Sequence, residues 1–329
     1  MLLAIAAVWS PAVAHADTSP GAVVSVEPLR REIWVPGTAD AYRITHWTQG
    51  PDGATLSSGA VYLPPGEPPV GGWPVVAWAH GTIGLGDHCA YSVRGPGLPE
   101  RDFPYLAAWL AQGYAIVASD YAGLGTPGPA RYLNGIDEAH SVVDMVRAST
   151  QAFPELASKW VVVGQSQGGG AAMTVARYAT QFGGPALDYR GAVATGVPAY
   201  IENLVAPLGP GLPPVSLGEN LNAYLVFILS GLRATYPELG IDGILTDAGK
   251  ALVDVADSAC YDELATRVAD VPIGSLFVKP LRWIPDIDRI LQGYMGIPES
   301  DYDRPFFVGQ GLTDTDVPSP TTIALAARL

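Results

Sequence analysis

Positive charge is scarce in this chain. Of its 329 residues, 18 are Lys or Arg against 32 Asp or Glu, for a formal net charge of −14. That balance argues against a surface that neutralises nucleic-acid phosphates and offers no attraction to anionic membranes. A neutral or apolar substrate is compatible with it; a polyanion is disfavoured. Charged residues total only 15% against 48% hydrophobic ones, which excludes a disordered chain. Long apolar runs are missing as well. Beyond the N-terminus the most apolar stretch, Ala223–Leu232, spans about ten residues, half of what a membrane-spanning helix needs. Histidine is limited to His15, His46, His80, His88 and His140. Cysteine is limited to Cys89 and Cys260, and no internal repeat is visible.

What is present points to an exported α/β protein. Leu2–Trp9 is a short apolar segment with no basic residues before it, and Ala14-His15-Ala16 follows as a small-residue cleavage site. Residues 1–16 therefore read as a secretory signal, with a mature chain from about Asp17. In an exported chain, two cysteines read as one disulfide. It would close a loop of about 170 residues, worth ~4–5 kcal/mol by loss of unfolded-chain entropy.

Residues 17–40 are polar and broken by Pro and Gly, and read as an extended arm. Alternating residues 41–47 and 54–63 flank Gly50-Pro-Asp-Gly53, the pattern of an antiparallel hairpin. Continuous apolar strands are expected at 75–79, 114–119, around 160–164, at 191–196 and at 305–309. Helices are expected at 103–112, 136–153, from 166 to about 181, and at 321–329. His140 and Asp144 share a face of the second helix at i,i+4. That face reads as a polar surface in preference to a metal pair. From Val197 to Arg304 the strand–helix alternation stops, and apolar helices around 217–233, 241–255 and 286–295 read as an inserted helical cap or lid.

The chain is organised around Trp160–Ala172. A β-branched run ends in Gly164-Gln165-Ser166-Gln167-Gly168 and small residues follow. This is the G-x-S-x-G pattern of a strand–turn–helix elbow that lifts a serine above a sheet and leaves the Gln167 N–H free to stabilise an oxyanion. Strand 75–79 runs into His80-Gly81-Thr82, whose backbone N–H groups at Gly81 or Thr82 would supply the opposing donors. His80 itself reads as a structural hydrogen-bonder, and Asp120 as a loop-ordering carboxylate. The last strand exits into Asp314-Thr-Asp316-Val-Pro318, where an orienting acid sits in the order Ser…Asp/Glu…His.

Together Trp78–Thr82 with Asp87-His-Cys89, Asp120–Pro127, Gly164–Gly168 and Gly311–Pro318 make the chain resemble the secretory lipases, the fungal lipase A-type group of α/β-hydrolases in actinobacterial form. The resemblance runs from about residue 40 to residue 329. It implies an α/β-hydrolase fold with a mostly parallel sheet, an antiparallel N-terminal hairpin, a core over 17–196, a cap over 197–304 and a return to the core over 305–329. It implies a secreted carboxylic-ester hydrolase acting on acylglycerols or other acyl esters, in transient contact with a lipid interface and needing no cofactor or metal. Ser166 would be the nucleophile; Gln167, Gly81 and Thr82 the oxyanion donors; Asp314, rather than Asp316, the acid; and Cys89–Cys260 the disulfide. One departure is expected to matter. The family's histidine follows the acid by about 30 residues, and here none of the fifteen residues after Asp314 is His. The sequence as given thus reads as a C-terminally shortened form whose own turnover is poor. A non-catalytic secreted lipid- or ester-binding protein, and an acyltransferase using the same site, are the alternatives.

Overall fold

The computed structural model describes residues 17–329; the signal segment read in residues 1–16 lies outside them. Among the described residues the eight strands are β1 (Val23–Pro28), β2 (Asp40–Gly50), β3 (Gly53–Leu63), β4 (Trp73–Ala79), β5 (Ala115–Ser119), β6 (Leu156–Gln165), β7 (Asp188–Thr195) and β8 (Phe306–Gly309). They form one sheet in the order β1-β2-β3-β5-β4-β6-β7-β8. The expected hairpin is β2–β3, closed at Gly50↔Gly53. From β5 onward every pairing is parallel. Parallel strands are covered on both faces, which is why β4 and β5 read as unbroken apolar runs. The N-terminal segment differs from the expected arm: β1 pairs antiparallel with β2 from Val23↔His46 to Pro28↔Tyr42.

The helices are α1 (Tyr91–Arg94), α2 (Pro99–Ala111), α3 (Gly135–Ala152), α4 (Gln167–Gly183), α5 (Ile201–Val205), α6 (Glu219–Thr235), α7 (Asp247–Ala256), α8 (Tyr261–Val268), α9 (Ile287–Met295) and α10 (Ser319–Ala326). Helices α3 and α4 cover one face of the sheet, burying Met145, Val146, Met173 and Ala176 among the strand residues Val75, Ala77 and Val162. On the other face Tyr91, Leu106 and Leu110 cover Val76, Trp78 and Ile116. Between β7 and β8 lie helices α5–α9, which pack around a third apolar cluster of their own, with Phe227, Leu232, Val253, Leu264 and Leu291. Helix α8 and the short α5 were not legible in the sequence.

The α3 surface corrects a second expectation. Asp144 is buried, accepts a hydrogen bond from Thr48 Oγ1 at 2.8 Å and is paired with Arg147. His140 stacks on Phe182 with ring centroids 3.8 Å apart. The face reads as polar by residue type, but β2 and α4 cover it, so the charge is neutralised inside.

Cys89 and Cys260 form the expected disulfide across 171 residues. It staples the loop after β4 to the start of α8, where Gly84 bridges Cys260 and the Tyr261 N–H donates to the Ile83 carbonyl at 3.0 Å. Replacing Cys89 and Cys260 together by serine is expected to lower stability by about 4 kcal/mol, most of it through the freed unfolded chain. Urea unfolding of the double variant beside the parent checks this; equal midpoints would contradict it.

Candidate active site

The elbow is set by backbone contacts that leave no room for side chains. β6 ends at Gln165, Ser166 takes φ 57° and ψ −121°, and α4 starts at Gln167. A Cβ on Gly164 would lie 1.9 Å from the Gly168 carbonyl oxygen, and one on Gly168 would lie 1.9 Å from that of Ala79. The glycines are therefore required by the approach of α4 to β4 and β6. The positive φ of Ser166 is a strained geometry that the surrounding bonds hold in place. Its N–H donates to the Thr195 carbonyl at 2.9 Å.

The His80–Thr82 loop lies against this turn: a Cβ on Gly81 would meet Gln165 Oε1 at 2.9 Å and Ser166 Cβ at 3.6 Å. Gln167 is the first residue of α4, so its N–H has no intrahelical acceptor. Among the described residues the Gly81 and Thr82 N–H groups also have no backbone acceptor. Free amides thus border Ser166 from two elements.

The loop after β8 brings in the carboxylates. Asp314 Oδ1 accepts from the backbone N–H groups of Asp316 at 3.0 Å and Val317 at 2.9 Å, which fixes the side chain. Its Oδ2 meets Gln310 Nε2 at 3.3 Å. The same oxygen would be 3.7 Å from a Cβ on Gly196, a point 3.8 Å from the Ser166 nitrogen. Asp316 turns instead toward α6, where Asn220 Nδ2 and the Tyr224 hydroxyl donate to it.

Ser166, Gly81, Thr82, Asp314 and Asp316 all border one cavity of about 420 Å³, the more polar of two at the serine, together with Arg101, Asp102, Tyr261, Ile83 and Leu98. Ser166 and Gln167 also border a second, apolar cavity of about 150 Å³, lined by Leu204, Leu208, Leu221, Leu225 and Ile228 among others. Among the described residues no imidazole is hydrogen-bonded to Ser166 or Asp314. His80 borders the polar cavity, yet it is buried, its Nδ1 is 2.7 Å from the Gly81 carbonyl, and its ring lies between Tyr91 and Tyr121. Burial holds its pKa below the ordinary histidine value. His46 is likewise buried and pushed down to about 4. Asp120 is fully buried and accepts from Ser58 Oγ and from both the N–H and the hydroxyl of Ser92, the structural part the sequence suggested.

Glu138, on the first turn of α3, carried no sequence signal. It is buried beneath the elbow and accepts a hydrogen bond from Gln167 Nε2 at 2.7 Å. Burial pushes its pKa up to about 8, against the smaller pull of the Gln167 hydrogen bond. A neutral carboxyl there leaves the free amides beside Ser166 without an opposing negative charge.

A family model described as Secretory lipase matches residues 100–287. No curated protein matches the chain. Among solved structures, lipase A of Candida antarctica in its closed state superposes with a TM-score of 0.75 at 20% identity, covering 94% of this chain and 74% of that one. The rice cell wall degrading esterase LipA of Xanthomonas oryzae superposes with a TM-score of 0.76 at 20% identity, covering 94% of this chain and 88% of that one. At these identities the likeness shows the α/β-hydrolase fold.

Glu138 also sets a pH dependence of stability. Its folded pKa lies above the unfolded one, so its contribution is complete below pH ~4.5 and is lost as pH rises toward about 8. Glu138→Gln is expected to remove that loss, of the order of a few kcal/mol. The difference in urea stability between variant and parent, measured across this window, should grow with pH; a flat difference would contradict it.

Proposed function

The chain belongs to the secretory lipase family, and from that premise we propose that it is a secreted hydrolase of acyl esters working through a Ser166 acyl-enzyme. The observation that carries this reading is the position of Ser166. It sits on a strained turn between free backbone amides, a fixed carboxylate and an apolar cavity.

In this reading the ester's acyl chain lies in the apolar cavity and its alcohol in the polar one. Ser166 Oγ adds to the carbonyl carbon, and the charge that develops on the carbonyl oxygen falls to the N–H groups of Gln167 and of Gly81 or Thr82. Collapse releases the alcohol, and water then cleaves the acyl-serine. Each step moves a proton. A serine hydroxyl is a weak nucleophile without a base, and in this reading Asp314 would orient an imidazole between itself and Ser166. The apolar lining of the second cavity suits an alkyl chain, and the family description supports a lipid ester. The disulfide and the family support export. A non-catalytic lipid- or ester-binding protein is the second reading; it is favoured by the lack of a hydrogen-bonded imidazole at Ser166 among the described residues. Acyl transfer to an alcohol would use the same site.

The test is hydrolysis of a short-chain p-nitrophenyl ester by these 329 residues and by Ser166→Ala, with and without free imidazole. Without a base, turnover is expected to stay near the ~10³–10⁴-fold over water that oxyanion stabilisation and binding alone provide. Added imidazole should raise it at least tenfold in the parent, beyond the rate that the same imidazole gives with Ser166→Ala. Equal rates for parent and Ser166→Ala under both conditions would overturn the acyl-enzyme reading in favour of binding.

A further inference from the structure

Resting on the ester-hydrolase reading above, we propose that Asp316 is a specificity-determining residue which, with Tyr224, forms a braced partition confining an acyl chain to the apolar cavity. Four residues border both cavities: Ser166, Tyr224, Asp316 and Val317. Ser166 is the point where the two halves of the ester meet, and the Val317 N–H is spent on Asp314. The residues shared by the two cavities beyond the serine are therefore Tyr224, Asp316 and the buried Val317, and of these Tyr224 and Asp316 carry polar side chains.

The wall is held from the helical side. Asn220 Nδ2 lies 2.9 Å from Asp316 Oδ1 and 3.2 Å from Oδ2, and the Tyr224 hydroxyl lies 3.2 Å from Oδ2. Asn220 Oδ1 in turn accepts from the Tyr261 hydroxyl, and the Tyr224 and Tyr261 rings stack with centroids 5.6 Å apart. Tyr261 follows directly on the disulfide-bonded Cys260. The wall is thus braced by α6 and by α8, and α8 is stapled to the core.

The chemistry of the wall fits this use. Donors from α6 hold Asp316 on the helical side, whereas Asp314, held by its own loop and by Gln310, presents Oδ2 toward Gly196 and the elbow. A chain leaving the apolar cavity would have to displace water from the Asp316 carboxylate, and would enter a lining much more polar than the one it leaves. Alkyl groups stop at the wall, and the polar cavity is left to the alcohol.

The experiment uses the full chain and neutral straight-chain methyl ketones of increasing length, displacing a polarity-sensitive dye. Affinity should rise about threefold to fourfold per methylene until the apolar cavity is full, and then stop rising. Asp316→Ala should let the rise continue, so that the longest ketones bind about tenfold tighter than to the parent while the shortest bind equally. Asn220→Ala, which releases the brace and leaves the carboxylate, should move the limit in the same direction. A merely structural role would weaken every ketone alike and leave the limit in place. Leu225→Trp, which fills the apolar cavity, separates the two levels. If it leaves ketone binding intact, the apolar cavity is not the alkyl site, and the partition falls with the underlying reading. If it abolishes binding while Asp316→Ala and Asn220→Ala keep the parent's limit, the partition alone is overturned.

Discussion

The approach of α4 to the sheet governs the rest of the molecule. At Gly168 the helix backbone touches the Ala79 carbonyl, and at Gly164 the strand touches the Gly168 carbonyl, with distances that admit no Cβ. That approach forces Ser166 into a positive φ, points the first α4 amide outward and brings the His80–Thr82 loop against the turn. The strain is a local cost, offset by the apolar cover that α3 and α4 give the parallel strands. The proposed oxyanion role of the amides rests on the same contact, because donors fixed by packing need no reorganisation when charge appears.

With so few charges, the chain still places several carboxylates inside, and it handles each differently. Asp120 is satisfied by three hydrogen bonds from two serines. Asp144 is paired with Arg147 and bonded to Thr48. Glu138 has a single side-chain donor, and desolvation favours its neutral form. The three solutions track the donors available at each position. Only the third bears directly on the candidate site, because it is bonded to Gln167, the residue next to Ser166.

The helical segment between β7 and β8 has its own core, yet polar and covalent links tie it to the sheet domain near Ser166. Two of them are the Cys89–Cys260 disulfide and the contact of Asp316 with Asn220 and Tyr224. Both links border the polar cavity or adjoin residues that do. Geometry at the serine is therefore shared between two packed units, and the loop carrying Asp314 is also the loop that meets the second unit.

Much of this was legible in residue order, because its causes are local. The unbroken apolar runs of β4 and β5, the Gly50–Gly53 turn and the G-x-S-x-G elbow are each dictated by neighbours in the chain, through pleat, turn chemistry and steric room. Long-range contacts were not legible. β1 became a strand only because β2 offered an edge, and the α3 face carrying Asp144 was buried only because β2 and α4 closed over it. Nothing adjacent to Glu138 marks it; its role arises from a helix packed beneath the elbow. Asp314 and Asp316 are two residues apart and chemically identical, and what separates them is the set of donors brought to each. The sequence by itself determined which residues can do chemistry. The tertiary structure decided which of them meet, because burial and hydrogen-bond partners come from segments far apart in the chain.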